Sequence, residues 1–191
     1  MQFSHHIKGG IIAHIARRLF HIAMVMVPFF YYYFLIHLAP LKIIHLCILG
    51  FIFFVFLFEK FRLRTRLILF AQRAHESSQI STFAWTILSL GIVLIFSPSI
   101  SFSVPIIATC ALVDPLLGEM RLYHTNKKII IIVGVLVSVA IWFVASKYYG
   151  FPLWYGMIIA PISVAVEWPA IKWIDDNALM LLVPLVLVWI F

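Results

Sequence analysis

Long apolar runs, separated by short connections, occupy almost the whole of this 191-residue chain and constrain its fold more than any other feature. Hydrophobic residues make up 64% of the sequence and charged residues 11%, a composition that excludes an ordinary soluble domain. A membrane-spanning helix needs about 20 mainly apolar residues, and local thinning of the bilayer accommodates shorter runs. The sequence therefore predicts an all-α, polytopic membrane protein.

We predict a single transmembrane domain of about seven helices over residues 19–191. The helices cover approximately residues 19–40, 43–58, 80–96, 101–117, 129–146, 152–167 and 177–191. An amphipathic cytoplasmic segment, residues 1–18, precedes them, and the cytoplasmic loops are residues 59–79, 115–128 and 167–177. Pro28 and Pro161 lie inside predicted helices and are expected to kink them.

The distribution of charge predicts the orientation. Under the positive-inside rule, Lys and Arg in short loops mark the cytoplasmic side. The seven-helix topology places 12 of the 14 Lys and Arg residues on that side and leaves Lys42 and Lys147 outside, which predicts a cytoplasmic N-terminus and suits a bacterial inner membrane. The same topology brings all seven carboxylates to the cytoplasmic face: Glu59, Glu76, Asp114, Glu119, Glu167, Asp175 and Asp176. A cytoplasmic site rich in both signs of charge is therefore predicted.

Asp175 and Asp176 stand directly before the last apolar run, "ALMLLVPLVLVWIF". Its 14 residues form about 21 Å of helix, whereas the hydrocarbon layer is about 30 Å thick. If Phe191 reaches the far interface, the two aspartates are drawn toward the apolar boundary, and Asp114 is similarly placed near the end of its span. Buried carboxylates need cations, hydrogen bonds or protonation. The three aspartates are therefore candidates for a functional site.

The stretch "HIARRLFH" contains a basic helical stripe. The spacing i, i+3, i+4 and i+7 aligns His14, Arg17, Arg18 and His21 along one face. Such a stripe can bind phosphate, and anchoring on anionic lipids is the alternative interpretation.

Two acid–base pairs follow at i, i+3: Glu59 with Arg62, and Arg73 with Glu76. The pairs are either ordinary surface salt bridges or devices in which Glu fixes Arg for bidentate binding of a phosphate.

The stretch "DPLLGEMRLYHTNKK" combines an acid, a glycine and several cations in one short segment. Its members are Asp114, Gly118, Arg121, Lys127 and Lys128. Carboxylates and cations around a small residue match what a nucleotide phosphate with Mg²⁺ requires. A Lys pair that opens the next span is also typical of a topology signal.

Together these stretches resemble the family of CTP-dependent membrane lipid kinases that includes dolichol kinase, phytol kinase and the fungal-type diacylglycerol kinase, a relative of the CDP-diacylglycerol synthases. The family's early Glu-x-x-Arg-Lys-x-x-His element is similar to "HIARRLFH", where His14 replaces the Glu and Arg18 replaces the Lys. Its Glu-x-x-Arg and Arg-x-x-Glu elements match the two pairs above. Its central Asp and first glycine match Asp114 and Gly118, although a second glycine is missing here.

The late part of the family pattern matches Glu167, Asp175, Asp176, Asn177 and Pro184. The resemblance implies catalytic roles for Asp114, Glu167, Asp175 and Asp176. Of these, Asp114 and one of the paired aspartates, Asp176, are expected to bind Mg²⁺, and the other is expected to accept the proton of the lipid hydroxyl. Nucleotide or phosphate contacts are implied for Arg17, Arg18, His21, Arg62, Arg73, Gly118, Lys127, Lys128 and Asn177. Glu59 and Glu76 are expected to orient the arginines.

The implied activity is transfer of the terminal phosphate of a nucleotide, CTP, to the hydroxyl of a polyprenol-like or diacylglycerol lipid, with Mg²⁺ as cofactor. The lipid alcohol and the nucleotide are the expected partners, and no nucleic acid is expected. Three alternatives stay open at this point. They are a lipid-phosphate cytidylyltransferase of the CDP-diacylglycerol synthase type, a non-catalytic homologue and a small transporter.

Overall fold

The computed structural model describes residues 9–69, 72, 74–168, 171 and 173–191, and within them every regular element is helical. The helices are α1 (Gly10–Ala23), α2 (Met26–Phe30), α3 (Ile36–Leu38), α4 (Leu41–Thr65), α5 (Thr82–Phe96), α6 (Ile100–Leu122), α7 (Lys127–Tyr149), α8 (Trp154–Ala165) and α9 (Asp176–Ile190). A π-helical turn at Tyr31–Leu35 joins α2 to α3, and a 3₁₀ turn at Ala74–Ser77 precedes α5. The prediction of an all-α fold is confirmed for these residues.

The helices differ in their capacity to cross a membrane. Helices α4, α6 and α7 are each long and apolar enough to span it, and α1 with Met26–Leu38 provides a fourth span if this bent pair is counted as one. Helices α5, α8 and α9 are apolar but have only 15, 12 and 15 residues. Three to four long apolar helices are compatible with an integral membrane protein, and the full seven-helix topology stays a prediction.

The first predicted span is broken, and proline explains the break. Helix α1 and the segment Met26–Leu38 meet at an angle of 44°. Pro28 has no N–H to donate to the carbonyl of Met24, one turn earlier, so the N–H of Val27 bonds to that carbonyl instead, at 3.0 Å. Residues 10–18 of the predicted N-terminal segment belong to α1, and residues 1–8 lie outside the described residues.

Two predicted cytoplasmic loops are partly helical. Helix α4 continues through the charged sequence to Thr65, where Arg66 in the left-handed region (φ 53°) ends it. Helix α6 continues to Leu122. Sequence analysis placed these residues in loops because their charge interrupts the apolar pattern. Some of these charged side chains, Glu59, Arg62, Glu119 and Arg121, are paired with other elements, so the helices extend further than the apolar runs.

Helices α6 and α9 form the centre of the bundle. Helix α9 packs against α5, α6 and α8, and α6 also packs against α1 and α7. The largest apolar side chains with almost no exposed surface are Trp142, Ile106, Ile107, Leu117, Ile159, Met180 and Leu181. Helix α4 lies at the edge and packs mainly on α5, with several phenylalanines exposed, as expected of a lipid-facing helix.

Candidate functional site

Three carboxylates from separate parts of the chain meet at one end of the bundle. Asp114 lies on α6, Glu167 follows the end of α8, and Asp176 is the first residue of α9. One oxygen from each of the three lies within 4.8 Å of the others. We call this set the acid cluster. All three residues were predicted as catalytic, and an all-oxygen donor set of this kind is what Mg²⁺ prefers.

Glu167 provides the clearest sign that the acid cluster is incomplete by itself. Its Oε1 pairs with Nη2 of Arg121, while its Oε2 is buried and has no hydrogen-bond partner within the described part of the chain. A buried acceptor without a partner costs about 1–3 kcal/mol. A cation between the three carboxylates would satisfy this oxygen and reduce their mutual repulsion, so the residues fit the Mg²⁺ that the family resemblance implies.

The basic stripe of α1 lies against α6, next to Asp114 of the acid cluster. Nη1 of Arg18 lies 3.8 Å from Oδ2 of Asp114, and Nε2 of His21 lies 3.4 Å from the same oxygen. Nε of Arg18 donates to Oε1 of Glu119 at 2.9 Å, and Nε2 of His14 lies 2.8 Å from that oxygen. Three members of the stripe, His14, Arg18 and His21, thus contact carboxylates of α6, whereas Arg17 contacts Glu76.

Gly118 allows Arg18 to approach α6. A Cβ atom at position 118 would overlap with Nη2 of Arg18, so any larger residue would displace the guanidinium. Sequence analysis predicted Gly118 as a nucleotide-binding residue. In the structure its visible role is to make room for a cation beside Asp114.

Asn177 lies behind the acid cluster and positions its neighbours. The side chain is buried, and its Oδ1 lies 3.3 Å from Nε2 of His21 and 3.7 Å from Sγ of Cys110. Direct contact of Asn177 with a nucleotide was predicted, but the side chain is enclosed by α1 and α6. Its hydrogen bond to His21 instead links α9 to the basic stripe.

The two adjacent aspartates face different neighbours. Asp176 belongs to the acid cluster, whereas Oδ2 of Asp175 accepts a hydrogen bond of 2.8 Å from the hydroxyl of Thr82, the first residue of α5. Oδ1 of Asp175 caps α9 by accepting from the N–H of Asn177 at 3.1 Å. Burial, together with the charge of Asp176, raises the pKa of Asp175 to about 7.

Arg62 has a structural role that differs from its predicted one. Nε and Nη2 form two bonds to the Glu59 carboxylate at 2.9 and 2.6 Å. The remaining N–H groups donate to the carbonyls of Leu67, Glu76 and Gln79. A guanidinium has five N–H donors and all five are used, so no donor is left for a phosphate. Arg62 therefore clamps the connection between α4 and α5.

Glu59 orients Arg62, as predicted, and also fixes the start of α5. Its Oε1 accepts from the N–H of Ser81 at 2.6 Å, and its Oε2 accepts from the Ser81 hydroxyl at 3.3 Å. The same hydroxyl caps α5 by accepting from the N–H of Ala84. The Glu59–Arg62 pair thereby determines where Thr82 lies.

The second predicted pair, Arg73 with Glu76, is only partly within the described residues, because Arg73 lies outside them. Glu76 contacts Arg17, whose Nη1 lies 3.5 Å from Oε1 of Glu76. Nη2 of Arg17 lies 3.4 Å from the hydroxyl of Thr82. Among the described residues, Glu76 therefore contacts Arg17, and its predicted pairing with Arg73 stays a prediction.

A cationic surface adjoins Glu167. Nζ of Lys127 lies 4.6 Å from the centre of the Trp168 ring, and Cζ of Arg121 lies 5.1 Å from it. Both predicted lysines begin α7, where Lys128 is exposed. The sequence placed Arg121 in the charged stretch after Asp114 but predicted no site role for it, and Thr82 was not predicted at all. Arg121 had a usable signal, because it follows Asp114 at i+7 and Gly118 at i+3, on the same face of α6.

A cavity of about 640 Å³ opens beside this site, between α1, α4 and α5. Its apolar walls include five phenylalanines: Phe20, Phe51, Phe54, Phe58 and Phe83. Its polar end includes Arg17, His21, Glu59, Glu76 and Thr82. We call this cavity the phenylalanine groove. The sequence did not predict it, because the phenylalanines come from three separate segments.

Comparison with protein-family models, curated proteins and solved structures gave no match to this chain. The class defined by the fold and the geometry is an all-helical protein with membrane-compatible helices and a charged site next to an apolar groove.

Proposed function

We propose that this protein is a membrane lipid kinase that transfers the terminal phosphate of CTP, with Mg²⁺, to the hydroxyl of a polyprenol-like or diacylglycerol lipid. The observation that carries the proposal is the hydrogen bond of 2.8 Å between Thr82 and Asp175. Thr82 lines the phenylalanine groove, and Asp175 adjoins Asp176 of the acid cluster. This bond therefore lies between the phenylalanine groove, which can hold an apolar substrate, and the acid cluster, which can hold a phosphate donor.

We assign seven membrane helices and a cytoplasmic N-terminus to the kinase. Helices α5, α8 and α9 are about 22, 18 and 22 Å long at about 1.5 Å per residue, so the bilayer thins around them or interfacial residues complete them. Their packing against α6, α7 and one another favours membrane embedding. The excess of Lys and Arg at the site's end favours the cytoplasmic side of a bacterial inner membrane, where CTP is available.

The nucleotide phosphates bind between the acid cluster and the cations around it. Asp114, Glu167 and Asp176 hold Mg²⁺, which when bound offsets negative charge on the phosphate oxygens. Arg18 and Lys127 bind phosphate, and Arg17 binds at the groove side. Glu119 and Glu76 orient Arg18 and Arg17, respectively. Positioned charge of this kind supplies most of the catalysis in phosphoryl transfer.

Asp175 accepts the proton of the lipid hydroxyl. Thr82 holds its carboxylate beside the polar end of the phenylalanine groove, where a lipid hydroxyl would lie. The hydroxyl oxygen forms a bond to the terminal phosphorus, the proton passes to Asp175, and the bond to the nucleoside diphosphate breaks. Both aspartates are needed, because Asp176 serves the phosphate donor and Asp175 serves the acceptor.

The test is transfer from γ-labelled CTP, with Mg²⁺, to a panel of polyprenol, phytol and diacylglycerol. Purified protein should give an organic-soluble labelled lipid phosphate. Asp176→Asn removes one charge from the acid cluster and should reduce the rate by about 100-fold or more. Lys42→Gln also removes one charge, from the exposed opposite end of α4, and should leave the rate unchanged.

Two outcomes would contradict the kinase proposal. Label from α-labelled CTP retained in the lipid, with release of pyrophosphate, would identify a cytidylyltransferase. Absence of any CTP binding by folded protein would favour a non-catalytic homologue or a transporter.

A further inference from the structure

A second cavity lies along the opposite flank of α4 from the phenylalanine groove. Its volume is about 560 Å³. Its lining residues on α4 recur at helical spacing and include Phe53, Phe56, Leu57, Lys60 and Arg64. Ile80, from the connection before α5, also lines the cavity, so it is a groove between two segments of the chain. We call this cavity the basic groove.

The charged end of the basic groove carries two cations. Lys60 and Arg64 lie one helical turn apart, and both are exposed. Neither forms an ion pair with a carboxylate in the part of the chain that the structure describes. Glu59 also lines the groove, but its carboxylate accepts hydrogen bonds from Arg62 and Ser81. The two positive charges are therefore available to an anion.

The spacing of charge along α4 gives the depth of these cations in a membrane. Helix α4 is long and apolar enough to span the bilayer. The distance along the helix from Lys42 to Lys60 is about 27 Å at about 1.5 Å per residue, close to the thickness of the hydrocarbon layer, about 30 Å. With Lys42 at one interface, Lys60 and Arg64 lie at the level of the lipid phosphates on the other side. Phe53 and Phe56 then lie at the level of the acyl chains.

We propose that the basic groove binds an anionic glycerophospholipid of the surrounding leaflet. The lipid phosphate lies between Lys60 and Arg64, and acyl chain packs along Phe53, Phe56 and Leu57. The site lies on the other flank of α4 from the acceptor site of the proposed kinase, and the proposal does not depend on that activity.

The ligand class follows from the combination of charge and apolar surface. The net charge of an anionic phospholipid complements two cations, whereas the ammonium group of a zwitterionic lipid competes with them for the phosphate. A soluble phosphate gains only contacts that salt screens, because Lys60 and Arg64 are exposed. Burial of acyl chain along the phenylalanines adds an apolar contribution that a soluble anion lacks. The groove should therefore prefer an anionic lipid to both other ligands.

Native mass spectrometry can measure this preference. Purified, delipidated protein in detergent is titrated with phosphatidylglycerol and, separately, with phosphatidylcholine of the same acyl chains. The first phosphatidylglycerol should bind about tenfold more tightly than the first phosphatidylcholine. Glycerophosphoglycerol has the same headgroup without acyl chains, and it should not displace the lipid at about 100-fold molar excess, because exposed charge alone binds weakly in salt.

Substitutions of exposed cations on α4 locate the site. Lys60→Gln should weaken phosphatidylglycerol binding by about fivefold, and the double variant with Arg64→Gln by about 25-fold. Neither change should affect phosphatidylcholine binding. Lys60→Arg keeps the charge and should keep the preference for phosphatidylglycerol. Arg66→Gln is the matched control, because Arg66 is an exposed cation at the same end of α4 that does not line the basic groove. It should leave binding of both lipids unchanged.

Three results would overturn the proposal. Equal affinity of the parent protein for the two lipids would show that the groove does not recognise lipid charge. An equal loss in Lys60→Gln and Arg66→Gln would show that the lipid responds to the general positive charge of this end of the helix. Displacement by glycerophosphoglycerol would show that the cations bind a soluble phosphate without help from the apolar wall.

Discussion

Two groups of charged residues lie at the same end of the bundle but differ in how completely they are paired. The Glu59–Arg62 pair is almost fully buried, and every N–H of Arg62 donates to a protein oxygen. In the acid cluster, three carboxylates face one another and Oε2 of Glu167 has no partner among the described residues. The first group uses its hydrogen-bonding capacity internally, and the second leaves part of it available.

The completeness of pairing distinguishes charged residues that stabilise the fold from charged residues that can bind a ligand, and residue type alone does not. Sequence analysis assigned both groups to phosphate or metal binding, because Arg, Glu and Asp occur in both. A saturated pair cannot bind a ligand without breaking existing bonds, whereas an unsatisfied acceptor gains from a bound cation. We therefore expect changes in the first group to reduce stability and changes in the second to reduce activity.

Arg62→Met should have the largest effect. It leaves the carboxylate of Glu59 buried without its cation, which should lower the free energy of unfolding by about 3–5 kcal/mol. Arg64→Met changes an exposed arginine of the same helix and should have little effect. Denaturant unfolding in detergent measures both variants. Equal stability of the two would show that the Glu59–Arg62 pair is not a structural clamp.

Gly118→Ala should reduce activity without reducing stability. The new Cβ displaces the flexible guanidinium of Arg18 from Asp114, so CTP transfer should slow by about tenfold, or about 1.4 kcal/mol. Stability should be maintained, because alanine favours helix over glycine by about 1 kcal/mol. Gly50→Ala is the control, since nothing lies within 4 Å of its added Cβ. The comparison fails if both variants keep full kcat/KM and full CTP affinity.

Asp175→Asn should have a small effect on stability, and the size of that effect depends on pH. The pKa of Asp175 is raised from 3.8 to about 7, so the folded state holds the proton more tightly than the unfolded state. Stability from this group therefore decreases as pH rises from about 4 to 7. With a chelator present, Asp175→Asn should be more stable than the parent at pH 8 and should match it near pH 4. The gain should be about 1 kcal/mol or less, because solvent screening at this partly exposed carboxylate removes most of what the full pKa shift would give.

A second substitution at the same position separates charge from capping. Asn retains a side-chain oxygen that can cap α9, whereas Asp175→Ala loses the cap and should be about 1 kcal/mol less stable than Asp175→Asn at either pH. A melting temperature of Asp175→Asn below that of the parent at pH 8 would contradict the predicted sign.

The sequence predicted most helices well because apolar runs end near helix ends. The predicted range 80–96 corresponds to Thr82–Phe96, and 177–191 corresponds to Asp176–Ile190. The ends of α4 and α6 were predicted too early. A charged stretch is typical of a loop, and the sequence alone does not show which partners would let it continue as a helix. Those partners include the carbonyls of Leu67, Glu76 and Gln79, which residue spacing alone cannot reveal.

The sequence named candidate residues for the site, but it did not predict how they are arranged. Topology predicted that the carboxylates share one end, and the contacts among Asp114, Glu167 and Asp176 agree with this. Which aspartate of the adjacent pair faces the acid cluster depends on where α9 begins, which the sequence leaves uncertain by a few residues. Phe20, Phe51 and Phe83 line one groove only because the fold brings side chains of α1, α4 and α5 to the same cavity. No local sequence pattern predicts this arrangement.

The exposed phenylalanines of α4 that line the phenylalanine groove have a kinetic consequence for the proposed enzyme. The acceptor would enter by lateral diffusion within the membrane and would never pass through water. Its effective concentration is then a mole fraction in a two-dimensional phase, so rates should follow surface dilution by inert lipid and stay constant when the volume of buffer changes. The membrane would act as the substrate reservoir, and the protein would sample it directly through α4.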